Sequence, residues 1–353
     1  MTTALVEVPF SFTLPPENEA HEPPELRGRR RDAVRLLVSR GEDEPLDASF
    51  GDLGAFLAPG DVVVVNTSAT VNAAFAAHLP DGRALVLHHS GILPGGLHLV
   101  EPRLPDGPST RPLTLDAPLT VALAGGASVS LLTPFGDSRR LWLAAVPGAG
   151  EWARYAAAHG HPISYRHAPG PFPLAAYQTI FGRESGSAEM PSAGRPFSHE
   201  LVTDLVARGI GVVPILLHTG VSSLEGAERP YPEYFRVSAS AASALNSARR
   251  RGARVLAVGT TVVRALASVT DERAVVHPGE GFSEALVTAE HPVASLDGLL
   301  TGWHEPASTH LLLLESVLSR PALGAAYRHA IAAGYRWHEF GDSHLLLPDG
   351  ASR

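Results

Sequence analysis

The feature that most constrains the fold is a change in the pattern of apolar and turn-forming residues between residues 73 and 148. Short apolar runs such as ALVLHHS, LHLVEPRL and RRLWLAAV alternate there with glycine and proline turns at a spacing of roughly ten residues. On both sides, helical patterns alternate with buried strands such as VVVVN at 62–66. The sequence therefore predicts an α/β protein with a small all-β barrel or sandwich inserted into it.

Composition narrows the class of protein and the chemistry available to it. The chain has 353 residues, 44% of them apolar and 18% charged, which is typical of a globular protein large enough for two domains. Cysteine is absent, which excludes disulfides, thiolate catalysis and cysteine-bearing zinc sites. Lysine is also absent, which excludes Schiff-base chemistry. A net charge of −8 does not favour nucleic acid, although a local arginine patch can still bind it.

The N-terminal sequence and the apolar runs predict the cellular location. MTTALVEVPFSF has neither the basic segment nor the sustained apolar run of a signal peptide. No apolar stretch approaches the length that spans a bilayer. We therefore expect a cytoplasmic protein without membrane contact.

The richest polar segment is TGWHEPASTH, residues 301–310, which lies between two apolar segments. Ser308 or Thr309 is placed to cap the helix that follows, because a hydroxyl can accept a hydrogen bond from an amide of the first turn. The start of a helix suits a carboxylate, a phosphate or a developing anion. The two histidines of the segment, His304 and His310, are candidates for a functional role, while solvated loop histidines are the alternative interpretation.

A second candidate site is AVGTTVVRAL, residues 257–266, at a junction between a strand and a helix. Gly259 permits a tight turn, Thr260 and Thr261 are expected to cap the helix, and Arg264 shares a face with Thr261. Such a junction binds anions well. An ordinary capped helix with a surface arginine is the alternative, because the segment matches neither GxxxxGK[ST] nor GxGxxG.

Three further segments gather polar groups. His218 and Thr219 follow a strand, and ligands of α/β folds bind at that edge. The loop of residues 173–201 is rich in Gly, Ser and Pro, which permits close approach of its backbone to a ligand, or makes it a plain linker. Residues 332–348 contain histidines and acids, but they do not match HExxH, so no metal is expected.

Taken in order, these segments resemble the S-adenosylmethionine:tRNA ribosyltransferase-isomerase family of queuosine biosynthesis. The motifs that carry the resemblance extend through most of the chain and are RDAVRLLV (31–38), PGDVVVVN (59–66), YQT (177–179), PSAG (191–194), LHTG (217–220), AVGTTVVRAL (257–266), TxxHxPxST (301–309) and AY…YR…GD (326–342). An ordered series of this kind is far more specific than any single motif. The resemblance implies a large α/β catalytic domain, residues 1–72 and 149–353, with a small β-barrel domain inserted at residues 73–148.

The resemblance also implies a reaction. The ribosyl part of S-adenosylmethionine, a co-substrate, is transferred onto 7-aminomethyl-7-deazaguanine in tRNA and rearranged to an epoxycyclopentane, with release of adenine and methionine. The sulfonium acidifies the C5′ hydrogens, so that a positioned base can generate an ylide-like nucleophile. Departure of adenine then requires stabilisation of negative charge or protonation of the ring. No metal is implied.

The family motifs assign residues to this reaction. The implied catalytic residues, with the acid/base role left open between the two histidines, are His304, His218 and Asp342. The implied S-adenosylmethionine-binding residues are Thr260, Thr261, Arg264, Tyr177, Gln178, Ser192, Gly194, Thr219, Ser308, Thr309 and Arg336.

Four segments depart from the family pattern. NDTKVIPARL is replaced by NTSATVNAAF (66–75), APTAGLHFT by MPSAGRPFS (190–198), TNFHLPKSTL by TGWHEPASTH, and YRFFSYGDAMLI by YRWHEFGDSHLL (335–346). Several of the lost groups are basic, the type that contacts tRNA phosphates. The expectation of tRNA as a partner is weakened accordingly.

Three functions therefore remain open from the sequence. The first is the tRNA enzyme itself, the second a divergent paralogue that uses S-adenosylmethionine with a small-molecule acceptor, and the third a non-catalytic binding module. Retention of His304, Thr260, Thr261 and Asp342 argues against the third. We expect a monomer.

Overall fold

The computed structural model describes residues 10–107, 109–221 and 230–348. Its strands, in chain order, are β1 (Arg35–Arg40), β2 (Leu46–Ser49), β3 (Val62–Asn66), β4 (Ser68–Thr70), β5 (Ala74–His78), β6 (Ala84–Ile92), β7 (His98–Asp106), β8 (Ser109–Pro112), β9 (Leu119–Leu123), β10 (Ser128–Pro134), β11 (Trp142–Ala145), β12 (Glu184–Ser187), β13 (Gly211–Leu217), β14 (Glu233–Val237), β15 (Val255–Val258), β16 (Gly279–Ser283), β17 (Gly298–Gly302) and β18 (Ser343–Leu347).

Six α-helices accompany the strands in this part of the chain. They are α1 (Ala149–His159), α2 (His199–Ala207), α3 (Ala239–Arg250), α4 (Thr260–Ala267), α5 (Thr309–Glu315) and α6 (Arg320–Ala332). Short 3₁₀ segments lie between these elements, among them Phe50–Phe56 and Ser192–Gly194. None of the helices in the described ranges is long and apolar enough to cross a membrane.

A nine-stranded sheet forms the larger part of the fold, in the order β16-β14-β13-β3-β15-β17-β18-β1-β2. Successive side chains of a strand point to opposite faces, and every residue of β3 is buried. Val62 and Val64 accordingly belong to one apolar core, together with side chains of α3, α4, α5 and α6. Val63 and Val65 belong to a second core, which includes side chains of α2. Helices on both faces explain why this strand is a continuous apolar run.

The strands β13, β3, β15 and β17 are parallel to one another, so their carboxyl ends lie at one edge of the sheet. The segments that leave this edge begin at Thr67, His218, Gly259 and Trp303. This edge is where ligands of α/β sheets bind. It brings together TGWHEPASTH, AVGTTVVRAL and LHTG from distant parts of the sequence.

A second sheet holds β5 to β11, in the order β11-β10-β9-β5-β6-β7-β8. Antiparallel pairing of β11 with β7 closes six of these strands into a barrel, and β8 extends from β7. The inside is filled by apolar side chains such as Phe75, Leu87 and Trp142. The predicted fold class, mixed α/β with a small β-barrel, is confirmed.

The helix α1 packs against this barrel, because Trp152 lies in the barrel core. The strands themselves run from Ala74 to Ala145. Division of the chain into folding domains at residues 73 and 148 stays a prediction. We propose that α1 belongs with the barrel domain, which moves its C-terminal boundary beyond residue 148.

The observed N-cap of α5 agrees with the one predicted from the local sequence, whereas that of α4 does not. Ser308 is the N-cap of α5 and accepts a hydrogen bond from the amide of His310, as predicted. At α4, however, the N-cap is Gly259, and no side chain caps the helix. The expectation that Thr260 and Thr261 cap α4 was wrong. The left-handed backbone of Gly259 starts the helix one residue earlier, so that the two threonines are its first helical residues.

Candidate active site

A cavity of about 840 Å³ lies at the carboxyl edge of the parallel strands. Its wall is formed by the β15–α4 junction, by the segment after β17, by residues 189–193 and 219–221, and by parts of the chain near residues 19, 166 and 338. The residues predicted from the sequence that line it are Ser192, Thr219, Thr260, Thr261, Arg264, His304, Ser308 and Thr309. A volume of this size is typical of small-molecule sites.

The β15–α4 junction forms one side of the cavity. Gly259 has φ 91° and ψ 156°, a region essentially restricted to glycine, and a Cβ there would lie 3.2 Å from the Cβ of Ala193. Asn66 donates to the hydroxyl of Thr261 at 3.4 Å and orients it. Thr260 and Thr261 therefore present hydroxyls and first-turn amides to the cavity, where they can meet an anionic group.

Arg264, one turn further along α4, is already held by protein groups. Its guanidinium pairs with the carboxylate of Glu233 on β14 and donates to the backbone carbonyls of Tyr231 and Ser283. The other oxygen of Glu233 accepts from the amide of Gly220 at 2.9 Å. Arg264 thus ties the helix to the cavity wall, and its charge is compensated before any ligand binds.

His304 lies in the segment after β17 with its ring held on several sides. Thr301 Oγ1 is 2.9 Å from its Nε2, and the ring stacks on His310 with centroids 4.8 Å apart. Trp337 Nε1 donates to its backbone carbonyl at 3.1 Å. Burial, followed by the proximity of His310, lowers the pKa of His304 well below its ordinary value. The imidazole is therefore neutral at neutral pH.

A group of ionisable side chains near His304 was not among the site residues predicted from the sequence. His338 stacks on His167 with centroids 3.7 Å apart, and His167 Nε2 lies 2.8 Å from Glu339 Oε2. Glu19 and Glu305 flank the ring of His338 at 3.8 and 3.7 Å. His338 and Glu305 lie in two segments that the sequence marked as rich in polar groups, and both stand where the chain departs from the family pattern. Nothing in the local sequence singles out Glu19 or His167.

The comparisons with known proteins identify the family. Residues 8–346 match the family model described as queuosine biosynthesis protein. The chain belongs to the queuosine biosynthesis protein family. The resemblance stated from the motifs is thereby confirmed.

Individual relatives of this family agree. The chain is 32% identical over 357 residues to the S-adenosylmethionine:tRNA ribosyltransferase-isomerase of Moorella thermoacetica, covering 96% of this chain and 98% of that protein. It is 34% identical over 360 residues to the protein of the same name from Anaeromyxobacter dehalogenans, with the same coverage. A solved structure of S-adenosylmethionine tRNA ribosyltransferase from Thermotoga maritima matches with a TM-score of 0.53 and 23% identity, covering 96% of this chain and 99% of that one. This likeness shows the shared fold.

Several residues that match the queuosine-family motifs do not line the cavity. His218 is partly buried beside it, where its Nδ1 lies 2.7 Å from Ser68 Oγ and its ring stacks on Tyr234. Burial lowers the pKa of His218. Ser68 contacts Ser187 Oγ at 2.6 Å, which in turn accepts from the amide of Thr219 at 3.0 Å. The side chain of His218 thus contacts the cavity wall indirectly, through Ser68, Ser187 and the amide of its chain neighbour Thr219.

Tyr177 and Gln178 do not line the cavity and contact other protein groups instead. Gln178 exchanges hydrogen bonds with the backbone of Thr70, donating at 2.8 Å and accepting at 3.1 Å. Tyr177 is buried among aromatic side chains, and burial raises its pKa to about 12. Gly194 follows Ser192 in a 3₁₀ turn, where a Cβ would lie 3.4 Å from a methyl carbon of Thr179.

Asp342 and Arg336 form hydrogen bonds with backbone groups of other segments. The two carboxylate oxygens of Asp342 accept from the amides of Arg35 and Arg336, each at 2.7 Å. Burial raises the pKa of Asp342, although these bonds oppose the shift. The side chain of Arg336 donates to the backbone carbonyls of Glu17 and Glu19. Both residues therefore hold the wall that carries Glu19 and His338, and neither lines the cavity.

The structure gives no candidate metal centre among the residues it describes. No group of three or more His, Asp or Glu side chains in the described ranges has an arrangement that could hold a metal ion.

Proposed function

We propose that this chain transfers the ribosyl moiety of S-adenosylmethionine onto 7-aminomethyl-7-deazaguanine in tRNA, isomerises it and releases adenine and methionine. The observation that carries the proposal is the convergence of four family motifs on one cavity. His304, Thr261, Thr219 and Ser192 are separated by long stretches of sequence, yet all of them line it. Membership in the queuosine family supports the assignment of this reaction, and the cavity is the site where we place it.

The cavity offers complementary groups to S-adenosylmethionine. Its methionyl carboxylate suits the first turn of α4, where Thr260 and Thr261 add hydroxyl donors to the partial positive charge of the helix start. Its sulfonium cation suits the acidic part of the wall, which includes Glu189 and Glu339. Arg264 takes an indirect part, because it holds Glu233 and α4 in place.

His304 is the group that we assign to the removal of a C5′ proton. The sulfonium acidifies this hydrogen, and the neutral imidazole takes it while the electron pair remains on C5′ as the ylide. The hydrogen bond with Thr301 fixes the orientation of the ring. Adenine leaves with the electron pair of its bond to ribose and takes up a proton. The aminomethyl nitrogen of the acceptor forms a bond to a ribosyl carbon and loses a proton, and methionine leaves as the neutral thioether with the electron pair of the carbon–sulfur bond. His218 is proposed as a positioning residue, acting through Ser68, Ser187 and Thr219.

Adenine release tests the proposed function directly. The protein is incubated with S-adenosylmethionine, with and without precursor tRNA carrying 7-aminomethyl-7-deazaguanine, and adenine is quantified by chromatography. We expect release that depends on the tRNA. Release with a small-molecule acceptor instead would support a divergent paralogue, and binding without release under any condition would support a binding module. The cytoplasmic location and the monomeric state stay predictions.

A further inference from the structure

His310 lines the cavity, and the reaction above gives it no role. It is the second residue of α5, and its side chain is partly exposed. The family pattern TNFHLPKSTL has leucine at this position, so a nitrogen-bearing ring stands where an apolar side chain is usual. In the same segment the asparagine and the lysine of the pattern are replaced by Gly302 and Ala307. The wall has therefore lost two hydrogen-bond donors of the pattern and has gained a ring that can donate.

Ser308 determines which nitrogen of the His310 ring carries the proton. Its Oγ accepts from the backbone amide of His310 at 3.2 Å and lies 3.1 Å from the ring Nδ1. Within the described ranges Nδ1 is the one acceptor that the Ser308 hydroxyl contacts, so the hydroxyl donates to it. Burial, followed by the charge of Arg264, lowers the pKa of His310 to about 4, which leaves the ring a single proton at neutral pH. With Nδ1 accepting, that proton is on Nε2.

The Nε2–H of His310 is available to a ligand, because it forms no hydrogen bond with a residue of the described ranges. The ring is nearly parallel to that of His304, with an angle of 12° between the planes and 4.8 Å between the centroids. His304 is the group that we assign to the C5′ proton. A donor that stacks on this base lies within the extent of one nucleoside, whose N3 and N7 are acceptors on the adenine ring.

We propose that His310 is a catalytic residue that donates a hydrogen bond from Nε2 to a ring nitrogen of the departing adenine. The bond between C1′ and N9 breaks with both electrons passing to adenine, so negative charge develops on the other ring nitrogens. A donor that is already fixed in place stabilises this charge more than it stabilises neutral adenine.

A neutral imidazole can fill this role as a donor without giving up its proton. His310 therefore keeps its proton throughout. The proton that adenine takes up comes from solvent, to which His304 returns the proton that it removed from C5′.

The proposal rests on the proposed function, because it concerns the departure of adenine. The test uses two variants of the full chain. His310→Phe keeps a ring that can stack on His304 but removes the N–H, and His310→Leu removes both. The control is His291→Phe, at an exposed position that does not line the cavity. Each protein receives S-adenosylmethionine or its 3-deaza or 7-deaza analogue, in which C–H replaces one acceptor nitrogen of the ring.

Chromatography measures the single-turnover rate of base release with precursor tRNA in excess, and calorimetry measures the affinity for S-adenosylmethionine. We expect both His310 variants to release adenine about a hundred- to a thousand-fold more slowly than the wild type, the loss that follows removal of one such donor. Their affinity should change little, since the bond strengthens only as charge develops, and the control should match the wild type. With the analogue that lacks the interacting nitrogen, wild type and His310→Phe should release the base at equal rates.

Three results would overturn the role of His310 alone while the wild type remains active. One is a rate ratio of wild type to His310→Phe that is the same with all three co-substrates, since His310 would then act through His304 or the fold. The second is a loss with His310→Leu only, which would assign the effect to ring stacking. The third is adenine release that neither variant slows. A wild-type protein that releases no adenine from S-adenosylmethionine would refute the proposed function and this inference with it.

Discussion

His304 illustrates at the residue scale how surroundings decide what a side chain can do. A loop histidine with a free ring would be largely protonated only in mild acid and would have no fixed orientation. Here Thr301 and His310 hold the ring, and burial keeps it neutral. His218 is equally prominent in the sequence. Its Nδ1, however, lies within hydrogen-bond distance of Ser68 Oγ, and its side chain does not line the cavity. We therefore propose His304 as the base, since it lines the cavity and His218 does not.

Replacing His304 by Ala should abolish turnover while the protein still unfolds cooperatively. Loss of a positioned base lowers rates on the order of a hundred- to ten-thousand-fold. Adenine release measures the effect, and thermal unfolding checks the fold. His218→Ala serves as the comparison and should reduce the rate less, because that residue acts through two serines. A fully active His304→Ala protein would refute the assignment.

At the scale of elements, the β15–α4 junction shapes the cavity through its backbone. Gly259 is the N-cap of α4 without any side-chain capping bond, and its φ of 91° is what turns the chain from strand to helix. The same conformation brings the Cα atom of Gly259 close to Ala193. Residues on both sides of the cavity therefore depend on this single glycine.

Gly259→Ala should destabilise the protein by about 1–3 kcal/mol, since alanine is strained in this backbone region. The shift of Ala193 and α4 should also weaken S-adenosylmethionine binding. Urea denaturation and calorimetry measure the two effects. Gly51→Ala is the matched control, because its φ is not positive and a Cβ there meets only Ser49 Oγ, at 3.9 Å. Equal stability of both variants would contradict the role given to this junction.

The pair Arg264–Glu233 joins α4 to β14 and is mostly buried. Removing one partner leaves an uncompensated charge, so Arg264→Gln or Glu233→Gln alone should cost about 3–5 kcal/mol of unfolding free energy. The double variant should cost clearly less than the sum of the two, as measured by urea denaturation. The exposed pair Arg208–Asp204 on α2 provides the control and should contribute only about 0.3–0.5 kcal/mol. Additive losses at Arg264 and Glu233 would show that the pair is not coupled.

For the whole molecule, buried neutral histidines are the main source of pH dependence near neutrality. Burial lowers the pKa of His88, His89 and His344 to about 3 and that of His310 to about 4. In the unfolded chain each titrates near 6.5. Between these values the unfolded state binds more protons, so stability rises with pH and falls as the solution is acidified below about 6.5. Paired carboxylates with lowered pKa, such as Asp32 at about 2, act only at lower pH.

Each of these histidines should therefore lower the unfolding free energy by about 1.4 kcal/mol per pH unit as the pH falls from 6.5 to 5. Above pH 7 they should leave the unfolding free energy unchanged. Urea denaturation across this range measures the slope. His344→Gln should reduce the slope by about one proton. A slope that His344→Gln does not alter would contradict the pKa given to that residue.

Much of the architecture was predictable because its signals are local. The apolar run of β3, the short strands between residues 73 and 148, and the serine before α5 each follow from side-chain periodicity or capping within a few residues. The start of α4 was misjudged, since threonine is a good cap by type, yet the left-handed glycine before it begins the helix.

The sequence by itself determined the fold class, the family and the motifs that line the cavity, because backbone sterics and apolar periodicity act over short distances. Tertiary structure alone decided which residues meet. His167 and Glu339 are 172 positions apart and lie 2.8 Å from each other, and Glu19 reaches the same wall from the N-terminal region. It also decided which residues stay outside, as Asp342 shows by binding two backbone amides. Such contacts depend on how strands and loops pack, which no local pattern encodes.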